Sequence, residues 1–456
     1  MVSAPIKKMK IMKLSLSKKN ILRKNVDGSC ILYDKSSNMK YSITNKLFIF
    51  LYLFKDNSIN LNALLAYFEA NNIPVDDIKE FLSRPDMNNL LIPSTEFQIN
   101  AASSKNNIYR SLTPITAYTE YTPERVDFLI TKKCNLRCKH CFENASPLKN
   151  TEYFDMNALK SVFCQMDELN VKTLKITGGE PFYHPQFQDV LELISRTRFE
   201  TIILTNGMLL TESSINLIKS SNIKLGISLD GISSRTHDFL RGKGSFNILY
   251  EKLRYMGKLG VDLTLTFTAN RINESELEKF SSIAFNEIGV RCIFVNRLRP
   301  IGRANTHTEM FIPNDEYMLL HERVNNLASK YGINKISLSD DSLPMNSNGQ
   351  EQLLGDSPLV CAAGNTLLCM DEFLDTYPCI YGQGNKNYIM GNLSKESLLN
   401  IWQSKKWMPF RGETTLSQIK GCNSCSQNNI CGIKNCRMKP VYNGLGFYDH
   451  VSYCKN

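Results

Sequence analysis

Hydrophobic and polar positions change their spacing three times along the 456 residues. Residues 29–93 mix short extended runs with helical periods. Cys30-Ile31-Leu32-Tyr33 and Lys40-Tyr41-Ser42-Ile43 read as a hairpin closed by the polar turn 34–38. Helical stretches follow near 45–54, 60–70 and 75–83, and Leu90-Leu91-Ile92 reads as a returning strand. Together these outline a small winged-helix-like module. From 125 to 300 strand and helix patterns alternate. Strands are expected at Val126–Ile130, Thr173–Thr177, Thr201–Thr205, Leu225–Leu229, Leu263–Thr268 and Cys292–Asn296. The clearest helix between them carries Met156, Leu159, Val162, Phe163, Met166 and Leu169 on one stripe. Repeated strand–helix units require parallel strands joined by right-handed crossovers, and six of them fit a partial (β/α)6 barrel of TIM type. Beyond 357 the periodicity fades into short extended pieces, turns and cysteines. The expected segments are a basic arm (1–24), the winged-helix-like domain (25–100), a linker (101–120), the barrel (121–310), a bridging helical region (311–356) and a cysteine-rich domain (357–456).

Composition narrows the class. With 42% hydrophobic and 21% charged residues, the chain is globular rather than disordered, collagen-like or coiled-coil. Its longest apolar run, Leu47 to Phe54, falls well short of the roughly 20 residues that span a bilayer. The net charge of +10 is local. Residues 1–24 hold Lys7, Lys8, Lys10, Lys13, Lys18, Lys19, Arg23 and Lys24 without an acid, leaving 46 bases against 44 acids elsewhere. The body is near neutral, so charge gives little reason to expect nucleic acid. The arm lacks the apolar stretch of a secretion signal, and a cytoplasmic location is expected.

Fourteen cysteines in a reducing compartment point to metal or redox chemistry, because disulfides do not persist there. Cys30, Cys164 and Cys292 stand alone and read as small buried residues. Cys134-x3-Cys138-x2-Cys141 follows the first barrel strand directly. Three thiolates on one loop suit three irons of a [4Fe–4S] cube with the fourth iron open, or a zinc ion with one further ligand. The next strand ends add ligand-binding groups at the same barrel face. Thr177-Gly178-Gly179-Glu180-Pro181 offers close backbone approach and a carboxylate for an ammonium. Thr205-Asn206-Gly207 follows, and then Ser228 and Asp230, two residues apart and suited to ribose hydroxyls.

These motifs resemble the radical S-adenosylmethionine (SAM) superfamily over residues 125–300. The resemblance implies a [4Fe–4S] cluster on Cys134, Cys138 and Cys141, and SAM contacts from Gly178, Gly179, Glu180, Asn206, Ser228, Asp230 and Arg241. His140 stands where the family usually places an aromatic ring. Asn296 and Arg303 occupy positions that often meet cofactor or substrate, and a surface arginine cluster is the alternative reading. Ser228-Leu229-Asp230-Gly231, His237-Asp238, Arg241-Gly242 and Gly244-Ser245-Phe246 resemble the subgroup with a C-terminal SPASM domain. The tail fits that pattern, and the resemblance implies two auxiliary [4Fe–4S] clusters. The first is on Cys361, Cys379 and Cys436, and the second is on Cys422, Cys425, Cys431 and Cys454. A zinc ribbon is the alternative for 422–436 taken alone. The family's hairpin glycine is replaced by Glu372-Phe373-Leu374-Asp375. Cys369 is either a fourth ligand of the first auxiliary cluster or core; the run Leu367-Leu368-Cys369-Met370 favours core.

The N-terminal module resembles the leader-peptide recognition domain of maturases that modify ribosomally made peptides, which add an extended peptide to a sheet edge. A DNA-binding winged helix is the alternative. The expected function is reductive SAM cleavage to a 5′-deoxyadenosyl radical that installs a crosslink in a precursor peptide, thioether favoured and carbon–carbon allowed. A reductant such as flavodoxin or ferredoxin is implied. A sulfatase-type maturase and a zinc-binding regulator are the competing functions. The first needs no peptide-recognition module, and the second leaves the strand-end motifs unexplained.

Overall fold

The structure is a computed structural model. It describes residues 13–16, 20–24, 30–34, 39–54, 59–70, 74–87, 90–93, 122–149, 153–339, 358–422 and 436–450. It divides into two compact units, residues 1–122 and 123–456.

The first unit runs β1 (Lys13–Leu16), β2 (Asn20–Lys24), β3 (Cys30–Asp34), β4 (Met39–Ile43), α1 (Asn45–Leu53), β5 (Ile59–Asn60), α2 (Leu61–Ala70), α3 (Asp76–Ser83) and β6 (Leu91–Pro93). The expected hairpin is β3–β4, with Cys30 opposite Ile43. The basic arm is not a tail in its described part. β1 lies between β5 and β6, and β2 pairs antiparallel with β3. Lys13, Arg23 and Lys24 obscured these short strands, because charge on a solvent face is compatible with either strand or coil. Leu22, Leu32, Phe48, Phe50, Phe54, Leu64 and Ile78 fill the core between sheet and helices.

The second unit begins with β7 (Arg125–Leu129), α4 (Met156–Glu168), β8 (Thr173–Thr177), α5 (Phe187–Ile194), β9 (Glu200–Thr205), α6 (Glu212–Ser220) and β10 (Ile223–Ser228). It continues through α7 (Ser234–Arg241), α8 (Ser245–Leu259), β11 (Leu263–Ala269), α9 (Leu277–Ile283), β12 (Cys292–Arg297), α10 (Asn314–Tyr331) and β13 (Ile336–Ser339). Strands β7 to β13 lie side by side in sequence order and parallel, as a crossover helix between consecutive strands requires. Val126, Phe128, Leu174, Ile176, Ile203, Leu225, Ile227, Leu265, Phe267, Ile293 and Val295 are fully buried on one face of the sheet. The alternate positions carry Lys175, Thr177, Ser228 and Thr266, which are only half-buried. The stripe predicted on α4 packs inward through Leu159, Val162, Phe163 and Met166. Asp155 caps that helix, its carboxylate accepting from Asn157 N and Ala158 N.

The cysteine-rich segment contributes β14 (Pro358–Val360), β15 (Leu367–Met370), β16 (Asp375–Tyr377), β17 (Gly391–Asn392), α11 (Leu398–Gln403), β18 (Arg411–Thr415) and α12 (Met438–Tyr442). The sheet does not end with the six expected strands. β13 extends it beyond β12, and β15 pairs parallel with β7 and leads on to β16 and β17, giving ten strands in all. Barrel and cysteine-rich segment therefore share one sheet, with Cys369 opposite Asp127. None of the described helices is long and apolar enough to cross a membrane.

Candidate active site

Strand β7 ends at Leu129, and the chain reaches Cys134, Cys138 and Cys141 within a dozen residues, at the C-terminal edge of the sheet. Segments from four other strand ends hold this loop. After β8, Gly179 N donates to Thr131 O at 2.6 Å and Glu180 N to Lys133 O at 2.8 Å. A Cβ on Gly178 would stand 2.4 Å from Thr131 O, and one on Gly179 would stand 2.0 Å from Lys133 O. The glycines thus permit two backbone segments to meet. The close approach read from sequence as an approach to a ligand is made, among the described residues, to the cysteine loop itself.

After β9, Asn206 reaches back to the same loop. Its Nδ2 donates to Asn135 Oδ1 at 2.8 Å and lies 3.7 Å from Cys134 Sγ. Glu180 joins these two strand ends. Its Oε1 accepts from Thr205 Oγ1 and Phe182 N, and its Oε2 accepts from Asn206 N at 2.8 Å. The side chain is fully buried, and burial pushes the carboxyl up to about 7 against those donors. Oε2 keeps one lone pair uncommitted, since a carboxylate oxygen accepts twice.

After β10, Asp230 is an ionic hub with no exposed surface. Its Oδ2 accepts from Arg241 Nε at 2.6 Å and His140 Nε2 at 3.1 Å, and Oδ1 accepts from Thr268 N at 2.7 Å. Burial alone would raise this carboxyl. Arg241 and His140 outweigh it and hold it well below the usual carboxylate range. His140 is therefore tied to an acid, where the family resemblance suggested a stacking ring. Arg241 also lies 4.0 Å from Cys138 Sγ through Nη1. Ser228 accepts from Thr266 Oγ1 at 3.2 Å on the half-buried face of the sheet.

After β12 comes a contact whose role the sequence did not show. Arg303 Nε donates to Cys138 O at 2.8 Å and Nη2 to Ala145 O at 2.7 Å, while Arg303 N bonds Cys141 O. It clamps the backbone of the cysteine loop, which sets it apart from a solvent-facing arginine cluster. Gly302, at φ 61°, passes so near that a Cβ would lie 2.3 Å from Phe142 O. Asn296 is half-buried on β12.

The loop thiols sense one another. Burial pushes Cys134 up to about 12, opposed by Leu136 N and reinforced by Glu180, Cys138 and Cys141. Burial also raises Cys138, against the pull of Arg241. A second thiol group lies in the SPASM-like segment. Burial raises Cys379, with Cys436 and Cys361 adding to it, and Cys361 is raised by burial and by Cys436. Cys369 is fully buried among Leu129, Tyr377, Ile380 and Ile389, and burial, Asp127 and Cys379 raise it well above its ordinary value. Cys422 packs beside Leu416 and Ile419. Cys425, Cys431 and Cys454, expected to complete the second auxiliary site, lie outside the described residues.

The hairpin β15–β16 meets the cysteine loop at a polar seam. Leu374 takes φ 60° where a glycine was expected, and its side chain is buried. Asp371 Oδ1 holds this turn by accepting from Phe373 N and Asp375 N. Next to it, buried Glu372 lies 3.5 Å from Lys132 Nζ. Burial pushes Glu143 up to about 7, with Lys132 opposing and Glu372 reinforcing.

Comparison with known proteins agrees with this geometry. Residues 128–282 match the radical SAM superfamily, and residues 361–426 match the SPASM iron–sulfur cluster-binding domain. Among curated proteins, the chain is 25% identical over 382 residues to the antilisterial bacteriocin subtilosin biosynthesis protein AlbA of Bacillus subtilis, covering 78% of this chain and 80% of that one. It is 25% identical over 320 residues to the mycofactocin maturase MftC of Mycolicibacterium smegmatis, covering 69% and 78%. Among solved structures, Streptococcus suis SuiB bound to S-adenosylmethionine shares the fold with a TM-score of 0.71 at 16% identity, covering 97% of this chain and all of that one. The same protein bound to its precursor peptide SuiA gives 0.70 over the same 97%. The chain thus carries a radical SAM domain over residues 128–282 and an SPASM iron–sulfur cluster-binding domain over residues 361–426.

Proposed function

We propose that this chain is a peptide maturase that closes a crosslink in a ribosomally made precursor peptide. The observation that carries this reading is the convergence of the β8, β9, β10 and β12 ends on Cys134, Cys138 and Cys141. The relatives supply the substrate class: AlbA is named for subtilosin biosynthesis, and SuiB has been solved with a precursor peptide.

The donor set fits the group that a radical SAM domain binds. Three coupled thiols share one loop, and a guanidinium beside Cys138 offsets part of their thiolate charge. When bound, the cluster and SAM together supply a 5′-deoxyadenosyl radical able to take hydrogen from an unactivated carbon. The protein's own contribution is placement. Cys134, Cys138 and Cys141 hold the cluster. Gly178, Gly179, Asn206, Ser228 and Arg241 line the SAM site. Glu180 would receive the methionine ammonium, and Asp230 a ribose hydroxyl. Cys361, Cys379 and Cys436 hold the first auxiliary cluster and Cys422, Cys425, Cys431 and Cys454 the second, with Cys369 as core. Residues 1–122 bind the leader peptide at a sheet edge, and a one-electron carrier such as flavodoxin or ferredoxin supplies the electron in the cytoplasm.

Replacing Cys134, Cys138 and Cys141 together with alanine tests the reading. The variant is expected to lose 5′-deoxyadenosine production and retain auxiliary iron. Production at the parent rate would overturn the assignment.

A further inference from the structure

Beside the cysteine loop lies a basic surface with no part in the chemistry described so far. α7 presents Arg235 and Phe239 one turn apart, and Lys243 lies in the turn just past the helix, after Gly242 at φ 134°. Arg235 and Lys243 are exposed, and Phe239 is 43% exposed, high for a large aromatic ring. Lys139, from between Cys138 and Cys141, places its ammonium 3.3 Å from the Phe239 ring centroid. The loop and helix are joined there, with Lys139 N donating to Leu240 O at 2.8 Å. Arg137, also exposed, flanks Cys138 on its other side. Arg137, Arg235 and Lys243 have no carboxylate partner among the described residues. Asp238, on the same helix, is turned to Gly244 N, Phe246 N and Ser245 Oγ. Cys138 itself lies just beneath, 8% exposed, with Sγ 3.9 Å from Arg241 O at the end of the same helix.

We propose that this face, Arg137, Lys139, Arg235, Phe239 and Lys243, is the docking surface for an acidic one-electron carrier protein that reduces the cluster on the cysteine loop. The inference rests on the radical SAM reading and adds the place where the electron enters. Three observations support it. The patch is cationic while the remainder of the chain outside the N-terminal arm is near neutral, so its field selects an acidic partner. The exposed ring of Phe239 gives the contact an apolar centre within a charged rim, as protein interfaces require. The cluster ligand Cys138 sits between Arg137 and Lys139, so a carrier bound here is separated from the cluster by the loop alone. One electron passes from the reduced carrier to the oxidised cluster, the carrier leaves oxidised, and no proton or group moves.

The test uses the full chain carrying its clusters, the double variant Arg235→Glu/Lys243→Glu, a reduced acidic flavodoxin as probe, and dithionite as a small reductant that needs no docking surface. With dithionite, parent and variant are expected to form 5′-deoxyadenosine at equal rates. With flavodoxin, the variant is expected to lose about tenfold or more in rate, and added salt to slow the parent but not the variant. Calorimetric titration of oxidised flavodoxin, which needs no turnover, is expected to show the same loss of binding. Equal flavodoxin-driven rates in the two proteins would overturn the proposal. So would a variant that keeps those rates but no longer binds the precursor peptide, which would assign the face to the peptide. Absence of 5′-deoxyadenosine from the parent with dithionite would instead overturn the radical SAM reading beneath it.

Discussion

Substituting alanine for Gly179 adds a single methyl group where the β8 end crosses the cysteine loop. That methyl would lie 2.0 Å from Lys133 O and 2.6 Å from Lys133 C, against ordinary contacts of 3.4 Å or more. The obstructing atoms are backbone, and Gly179 N is bonded to Thr131 O at 2.6 Å, so no side chain can rotate away. Relief requires the two segments to part by more than about 1 Å, with an overpacking cost of about 1–3 kcal/mol. Sheet and helices can absorb that cost. The site cannot, because a displacement of about 1 Å near reacting groups typically costs about a hundredfold in rate. The expected Gly179→Ala protein therefore folds with parent-like circular dichroism, keeps its auxiliary iron, and loses about a hundredfold in 5′-deoxyadenosine formation after anaerobic reconstitution. Gly289→Ala is the control, since Gly289 also lies in the second unit, has φ 79° and has nothing within 4 Å of where the added methyl would stand. It is expected to lose stability of about 1 kcal/mol and no activity. Parent-like cleavage by Gly179→Ala would refute the argument that backbone contact at this point sets the loop.

Asp230→Asn removes the buried charge that Arg241 and His140 share, leaving the guanidinium uncompensated, and is expected to cost about 3–5 kcal/mol in denaturant unfolding; a loss below about 1 kcal/mol would contradict the hub. His184 stacks on Phe154 at 5.0 Å, and burial lowers its pKa to about 4. The folded protein thus keeps this ring neutral while the unfolded chain protonates it, so its contribution is complete above pH 6.5 and is lost as pH falls towards 4. The parent is expected to lose up to about 3 kcal/mol more than His184→Phe across that window, and parallel stability curves would exclude the effect. Cys369→Ala is expected to leave the iron count of the auxiliary sites unchanged, because Cys369 packs among Leu129, Tyr377, Ile380 and Ile389; loss of about one cluster's iron would make it a ligand.

The strands were legible because sheet-face residues such as Leu225 and Ile227 or Leu265 and Phe267 repeat with period two, and each strand end is punctuated by glycine or a polar residue. The cysteine loop and GGEP segment were legible as local patterns. What was hidden depends on which remote residues meet. No local pattern marks Arg303 as the clamp on Cys138 and Ala145, since its partners lie more than 150 residues away and are backbone carbonyls. His140 bonded to Asp230 is hidden for the same reason. The sharing of one sheet by β7 and β15 was out of reach because four-residue strands carry too little periodicity to assign a partner. Leu374 shows the limit from the other side. The sequence lacks a turn glycine, yet the left-handed turn forms, held by Asp371 and by burial of the leucine side chain, which together offset a backbone cost of about 1–2 kcal/mol.

The central claim is that these strand ends serve to crosslink a peptide, and the most direct test is the mass of a leader-bearing precursor peptide after co-expression with the full chain. The account predicts a loss of about 2 Da per crosslink, the mass of two hydrogens, localised to the core peptide and absent when Cys134, Cys138 and Cys141 are replaced. An unchanged peptide mass, with SAM cleavage proceeding in the same cells, would contradict it.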